Sequence, residues 1–197
     1  MLLAIDPGHP SHEGDQGCVA PGLVEYRYTW EMAGLLRAHM RHCLPEVETI
    51  LLRDACDEVV SLAERGQRSA DAGVDLVLSL HVDSEATSHA RRSSGYYWPG
   101  NSVGAEIAEA IIRSMPDPLC RPRGYGVFAA RHGNGSDCWL VDARAVIAPH
   151  KATSVLIEMG YASNPIDLVA LLQNQTQTGI ALALMAGVVR AQQLMGV

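Results

Sequence analysis

The sequence lacks a long hydrophobic run, closely spaced cysteine pairs and an excess of basic residues, and each absence excludes a class of protein. Its longest nearly continuous apolar run, Ile180 to Val189, is about half of the ~20 residues that a membrane span needs, so we expect no membrane insertion. The five cysteines include no C-x-x-C pair, which argues against a disulfide framework and a cysteine zinc cage. A formal net charge of −7, with scattered arginines, argues against a nucleic-acid partner.

What is present is the composition of an ordinary globular protein, with 48% hydrophobic and 19% charged residues. A length of 197 residues favours one domain, residues 1–197, over two. Short aliphatic runs alternate with helical periodicity, which predicts an α/β fold with a mostly parallel central sheet of about six strands flanked by helices.

Six segments are predicted as strands: Leu2–Asp6, Val47–Arg53, Asp75–Val82, Gly95–Trp98, Cys138–Val141 and Ser154–Met159. The third and the last are nearly continuous apolar runs, which is typical of central strands that are buried on both faces. We therefore expect these two strands in the middle of the sheet. The stretch from Pro116 to His150 is rich in proline, glycine, arginine and histidine, and we expect a long loop there.

Two predicted helices begin with clear capping signals. Ser61 and Glu64 form a capping box before a helix that runs to about Ala72 and ends at Gly73. Asn164 precedes a proline and predicts a short helix through Leu172. Apolar periodicity predicts three more helices: Glu25 to about Arg41, Ser102 to Ser114, and about Thr178 to Leu194.

Three residues that can bind metal or titrate stand where predicted strands end. They are His9, His81 and Glu158. The carboxyl ends of parallel strands meet at one edge of a sheet, where ligands bind, so we expect these side chains to lie close together. Glu25 opens the helix that follows the His9 loop, near the same edge. Asp6 is expected to hold the turn or to support a ligand histidine.

These residue types suit hydrolytic chemistry at a zinc ion. Two imidazoles and one carboxylate form a known catalytic zinc set, in which the fourth position is left to water. Zinc lowers the pKa of that water and polarises a carbonyl, so that an amide can be attacked near neutral pH. A further carboxylate must carry the proton from the water to the leaving amine. We assign that role to Glu158.

Four motifs resemble those of the zinc-dependent N-acetylmuramoyl-L-alanine amidases of the amidase type 3 family. They are DPGH at residues 6–9, the helix-opening Glu25, SLHVDS at residues 79–84, and LIEMGYASN at residues 156–164. The resemblance covers nearly the whole chain. It departs from the family pattern at Pro10, where glycine is usual, and at Asp83, where asparagine is more familiar, which leaves the stem-peptide preference open.

The resemblance implies that His9, Glu25 and His81 are the zinc ligands and that Glu158 is the catalytic acid/base. It implies a peptidoglycan substrate, cleaved at the amide between the lactyl group of N-acetylmuramic acid and L-alanine of the stem peptide. Members of the family act in cell-wall remodelling, in sporulation and as phage endolysins.

The first residues of the chain include no basic leader and no cleavage site. We therefore expect synthesis in the cytoplasm without a signal peptide and action on the bacterial wall after release, as in an endolysin or its catalytic domain. The oligomeric state is left open, with a monomer favoured.

Several alternatives stay open from the sequence. His12 could serve as a ligand in place of His9, and His132 or His150 could orient substrate or stabilise an oxyanion. Cys18 is a formal candidate for a nucleophile. The same four residues would also serve a zinc peptidase or amidase on another amide, and a non-catalytic wall-binding protein could share the fold.

Overall fold

The computed structural model describes residues 1–9, 15–130 and 152–197. Within these ranges the chain alternates strands and helices, as the sequence predicts. In chain order the elements are β1 (Leu2–Pro7), β2 (Val19–Ala20), β3 (Leu23–Val24), α1 (Glu25–Cys43), β4 (Glu48–Leu51), α2 (Leu62–Ala72), β5 (Leu76–Asp83), β6 (Ser94–Tyr97), α3 (Ser102–Ser114), β7 (Val127–Ala129), β8 (Thr153–Tyr161), α4 (Pro165–Leu171) and α5 (Asn174–Met195).

The main sheet has six strands in the order β4-β1-β5-β8-β6-β7. The neighbouring strands are parallel except for β6 and β8, which run antiparallel. The mostly parallel sheet is therefore confirmed. The two continuous apolar runs form β5 and β8, which occupy the middle of this order, also as predicted.

The capping signals in the sequence mark the true ends of two helices. Ser61 forms a complete capping box with Glu64 at the start of α2, and Gly73 ends that helix in a left-handed conformation. The Asn164 side chain accepts hydrogen bonds from the first turn of α4. Helix α5 begins at Asn174, four residues before the predicted start. Apolar periodicity does not predict this first turn, because its residues are polar.

Two further predictions differ from the structure or lie outside it. The stretch from Pro116 to His150, predicted as a long loop, contains β7, which pairs with β6 in parallel. A three-residue strand is too short for its alternation to be recognised in a sequence. The predicted strand Cys138–Val141 lies outside the described residues. The small β2–β3 hairpin was also not predicted, although Gly22 at its turn has the positive φ of 80° that glycine favours.

Alternating side chains of the central strands fill two apolar layers. Leu3, Ile5 and Leu78 belong to the large core formed with α1, α3 and α5. Ala4 and Val77 point to the opposite face, where they pack with residues flanking α2. Along this second face, β1 and β5 end in polar residues, and the candidate site begins there.

Helix α5 is long and apolar enough to cross a membrane by length and composition, with a mean hydropathy of 1.2. Ile180, Leu184 and Val188 are fully buried on its inner face, whereas Leu182 and Val189 are exposed. At Gly187 the helix approaches α3 so closely that an added Cβ would lie 2.3 Å from Ile111 Cγ1. These contacts are those of a core helix.

Candidate metal and catalytic site

Three parallel strands bring the predicted residues to one edge of the sheet. His9 follows β1 by two residues, and His81 and Glu158 lie near the ends of β5 and β8. His81 and Glu158 are direct partners across the β5–β8 ladder, so their side chains share a face of the sheet. Glu25 is the first residue of α1. The structure brings His9, Glu25 and His81 together and places Glu158 opposite His81 in the sheet.

The candidate metal ligands lie close enough together to share one metal ion. Glu25 Oε1 lies 3.5 Å from His9 Nε2 and 3.2 Å from His81 Nδ1, and one ligand atom from each residue lies within 4.8 Å of the others. Ligands that bind zinc at ~2.0–2.2 Å in a tetrahedron are separated by about 3.3–3.6 Å. The three side chains therefore fit one small cation between them.

Glu25 is buried but ionised. Its Oε1 accepts a hydrogen bond from the Val82 N–H at 2.9 Å, and its Oε2 accepts one from the Cys18 N–H at 2.8 Å. Burial by itself would raise the pKa of Glu25, but the hydrogen bond and charge of His81, with the charge of His9, outweigh it and lower that pKa to about 2. A carboxylate is therefore present at neutral pH.

Main-chain carbonyls, and no side chain, cap the start of α1. Val24 provides no side-chain cap. The N–H of Glu25 donates to Cys18 O at 3.0 Å, and the N–H of Tyr26 donates to Gln16 O at 3.2 Å. An acidic residue at a helix start often interacts with its own helix terminus. Here the segment of residues 16–18 satisfies those donors, and the Glu25 carboxylate faces the two histidines.

Asp15 orients His9, and the sequence analysis missed it. Its Oδ1 lies 3.0 Å from His9 Nδ1, so the other ring nitrogen, Nε2, faces Glu25. Such a carboxylate contact fixes the tautomer and the ring orientation of a metal-binding histidine. The only signal in the sequence is an acidic residue in the loop after His9, which is too common a feature to single out.

Two glycines allow the close approach of the candidate ligands. A Cβ added at Gly8 would lie 2.5 Å from His81 Cε1, and one added at Gly17 would lie 2.4 Å from Glu25 Oε2. Gly17 also has a φ of 72°. Both positions are therefore restricted to glycine by the side chains of the site itself.

The family model described as N-acetylmuramoyl-L-alanine amidase, amidase type 3, matches residues 3–190. The chain belongs to this family. The match begins at the second residue of β1 and ends five residues before the end of α5.

Relatives of this amidase family come from several bacteria. The N-acetylmuramoyl-L-alanine amidase CwlM of Mycobacterium tuberculosis is 29% identical over 194 residues, which are 95% of this chain and 44% of CwlM. LytC of Bacillus subtilis is 27% identical over 173 residues, or 87% of this chain and 31% of LytC. The chain thus spans less than half the length of these relatives.

A solved amidase domain has the same fold. The catalytic domain of CwlV, an N-acetylmuramoyl-L-alanine amidase from Bacillus (Paenibacillus) polymyxa var. colistinus, superposes with a TM-score of 0.78 at 20% identity, covering 100% of this chain and 98% of that one. The likeness at this identity concerns the fold.

A buried ion pair lies beneath the site of this amidase-family chain. Asp6 and Arg65, each 1% exposed, are joined at 2.8 Å. The Ser79 hydroxyl donates to Asp6 at 2.8 Å, and Arg65 Nη1 donates to Pro7 O at 2.6 Å. Asp6 therefore holds the end of β1, the first of the two roles expected from the sequence.

A cavity of about 520 Å³ opens beside the two histidines. Its walls come from residues 59–65, which include the first turn of α2, and from Asp6 and Asp15. Binding cavities for small molecules have volumes of roughly 300–1,000 Å³. The cavity is therefore large enough for part of a substrate next to the candidate ligands.

The structure also bears on the alternatives. Cys18 Sγ donates to Val82 O at 3.4 Å, and burial, with the nearby Glu25, raises the pKa of the Cys18 thiol. A protonated thiol argues against a cysteine nucleophile. His12, His132 and His150 lie outside the described residues.

Proposed function

We propose that the chain is a zinc-dependent N-acetylmuramoyl-L-alanine amidase that hydrolyses the amide between the lactyl group of N-acetylmuramic acid and L-alanine in peptidoglycan. The observation that carries the proposal is that ligand atoms of His9, Glu25 and His81 lie within 4.8 Å of one another, next to the strand position of Glu158. Membership of the amidase family and the similarity to the N-acetylmuramoyl-L-alanine amidase CwlM support the choice of bond.

We assign the metal to three ligand atoms: His9 Nε2, His81 Nδ1 and Glu25 Oε1. Imidazole and carboxylate ligands in this number suit zinc, with a fourth position open to water. When bound, zinc lowers the pKa of a coordinated water to about 7 and polarises the amide carbonyl. Asp15 holds the His9 ring so that Nε2 would be available to a bound ion.

Glu158 acts as the acid/base in this proposal. The oxygen of water forms a bond to the carbonyl carbon while Glu158 takes its proton, and the same proton passes to the L-alanine nitrogen as the C–N bond breaks. Glu158 is 6% exposed and stands opposite His81 in the sheet, at the same edge as the ligands. The adjoining cavity provides the space for the substrate.

Metal analysis and digestion of purified cell-wall sacculi test the proposal together. The wild-type chain is expected to retain stoichiometric zinc and to release stem peptides with a free L-alanine amino group, identified by mass spectrometry. Glu158→Gln should keep the zinc and lose turnover by about 10²–10⁴-fold. Glu48→Gln is the matched control, since Glu48 is exposed and opens β4 at the other end of the sheet.

The outcomes separate the competing functions. Equal turnover by Glu158→Gln and wild type would rule out the proposed acid/base. Cleavage of free peptides without muramic acid would favour a zinc peptidase. Zinc retention by the wild-type chain without release of any fragment would favour a non-catalytic wall-binding protein.

A further inference from the structure

His9 has a backbone conformation that is unusual for a residue other than glycine. Its φ is +54°, in the left-handed region that residues with a side chain rarely adopt. Such a conformation persists only where neighbouring contacts hold it, and it is often found at functional sites. Among the described residues, Asp15 contacts the His9 ring, and others bind the two peptide groups just before His9.

The two main-chain carbonyls just before His9 accept hydrogen bonds from side chains of other elements. Pro7 O accepts from Arg65 Nη1 at 2.6 Å, and Gly8 O accepts from the Thr29 hydroxyl at 3.0 Å. A longer contact of 3.5 Å joins Gly8 O to Arg53 Nη2. The Gly8 N–H donates to Leu80 O at 2.9 Å. The peptide groups on each side of Gly8 are thus fixed to elements other than their own.

Thr29 links this turn to a candidate ligand. It lies four residues after Glu25 in α1, so both side chains are on the same face of the helix. Thr29 is fully buried. Its hydroxyl is closer to Gly8 O, at 3.0 Å, than to Tyr26 O of its own helix, at 3.3 Å. One helix face therefore carries the Glu25 carboxylate and the hydroxyl that holds the His9 turn.

We propose that Thr29 is a positioning residue, whose hydrogen bond to Gly8 O keeps His9 at the right distance from Glu25 and His81 and so sets the affinity of the site for zinc. The proposal rests on the metal site of the proposed function. Without the hydroxyl, the Pro7–His9 turn can relax toward an ordinary conformation, and zinc must restore it on binding. Arg65 supports the same turn, but it also neutralises Asp6.

The test compares three variants of Thr29 with a control. Thr29→Val and Thr29→Ala remove the hydroxyl, and Thr29→Ser keeps it. Thr178→Val removes another helix hydroxyl, which donates to Asn174 O at 3.1 Å within α5, a helix that carries none of the candidate ligands. Zinc affinity is measured by competition with a chelator, the visible spectrum of the cobalt(II) form reports ligand geometry, and circular dichroism checks folding.

We expect Thr29→Val and Thr29→Ala to bind zinc about tenfold more weakly, the lower end of the effect of contacts that orient metal ligands. Their cobalt spectra should differ from that of the wild type. Thr29→Ser and Thr178→Val should match the wild type in both measurements. Thr29→Ala serves if Thr29→Val does not fold, because alanine is the most favourable residue in a helix.

If a folded variant without the hydroxyl has the zinc affinity and the cobalt spectrum of the wild type, the inference is overturned and the proposed function still stands. The same holds if Thr29→Ser loses affinity as strongly as Thr29→Ala. A wild-type chain that binds no zinc would instead overturn the proposed function, and the inference with it.

Discussion

Replacement of Gly8, which follows β1, by alanine tests whether the backbone there lies too close to the His81 side chain to accept one extra methyl group. The added Cβ would lie 2.5 Å from His81 Cε1, 2.7 Å from His81 Nδ1 and 2.7 Å from Leu80 O. Carbon atoms in contact are usually about 3.5–4.0 Å apart, so something must move by roughly 1 Å.

Neither the His81 ring nor the Leu80 carbonyl can move without losing a contact that it makes. The Leu80 carbonyl is fixed by its hydrogen bond to the Gly8 N–H at 2.9 Å, within the β1–β5 pairing. The His81 ring can move only if its Nδ1 leaves Glu25 Oε1, which is 3.2 Å away. We therefore expect Gly8→Ala to lose zinc binding and about 1–3 kcal/mol of stability, the usual effect of an extra methyl group in a filled interior.

Gly34→Ala is the matched control for this substitution. Gly34 lies on the exposed side of α1, and none of the described residues has an atom within 4 Å of an added Cβ, apart from its neighbours in the helix. Alanine is favoured over glycine in a helix by up to about 1 kcal/mol. For a chain of this length, 1 kcal/mol changes Tm by roughly 2–4 °C. Gly34→Ala should therefore raise Tm slightly and keep the zinc, whereas Gly8→Ala should lower Tm by roughly 2–12 °C.

Zinc content by elemental analysis and Tm by differential scanning calorimetry measure these effects. A Gly8→Ala protein that holds stoichiometric zinc and melts with the wild type would refute the reasoning. It would mean that the β1–β5 edge adapts to a methyl group without displacing His81.

Two further predictions concern buried charge. Arg65→Met should reduce the free energy of unfolding in urea by about 3–5 kcal/mol, because it leaves Asp6 charged and without its ion pair. The double variant with Asp6→Asn should recover part of this loss. An unchanged urea midpoint in Arg65→Met would contradict the prediction. For the metal-free chain, the pKa of Glu25 falls from its ordinary 4.5 to about 2 on folding, so the carboxylate stabilises the fold by about 3 kcal/mol above pH 4.5, and this is lost as the pH falls through 2. Glu25→Gln should flatten the decline in stability between pH 4.5 and 2, and an identical decline would exclude Glu25 as its source.

The parts of the site that follow from strand direction could be predicted from the sequence. The apolar runs before His81 and Glu158 identify buried parallel strands, and parallel strands end at one edge, so the meeting of these side chains follows without coordinates. Glu25 could be added because it opens the next helix. The capping box at Ser61 likewise defines the start of α2 from local sequence alone.

The contacts that hold the site could not be predicted in the same way. Thr29 and Arg65 reach the turn before His9 from two different helices, and no local pattern reports which helix faces which turn. Gly8 resembles an ordinary turn glycine in the sequence, whereas its close approach to His81 depends on the alignment of β1 with β5. Interior polar partners of this kind are determined by tertiary packing.

The backbone capping of α1 has a practical consequence for protein engineering. The carbonyls of Gln16 and Cys18 close the helix start, while the amide of Cys18 holds Glu25. A chimaera that exchanges the segment ahead of α1 with that of another family member would therefore alter the helix terminus and the candidate metal site at the same time. Such grafts should be joined upstream of residue 15, so that the carbonyls of Gln16 and Cys18 stay with the α1 helix that they cap.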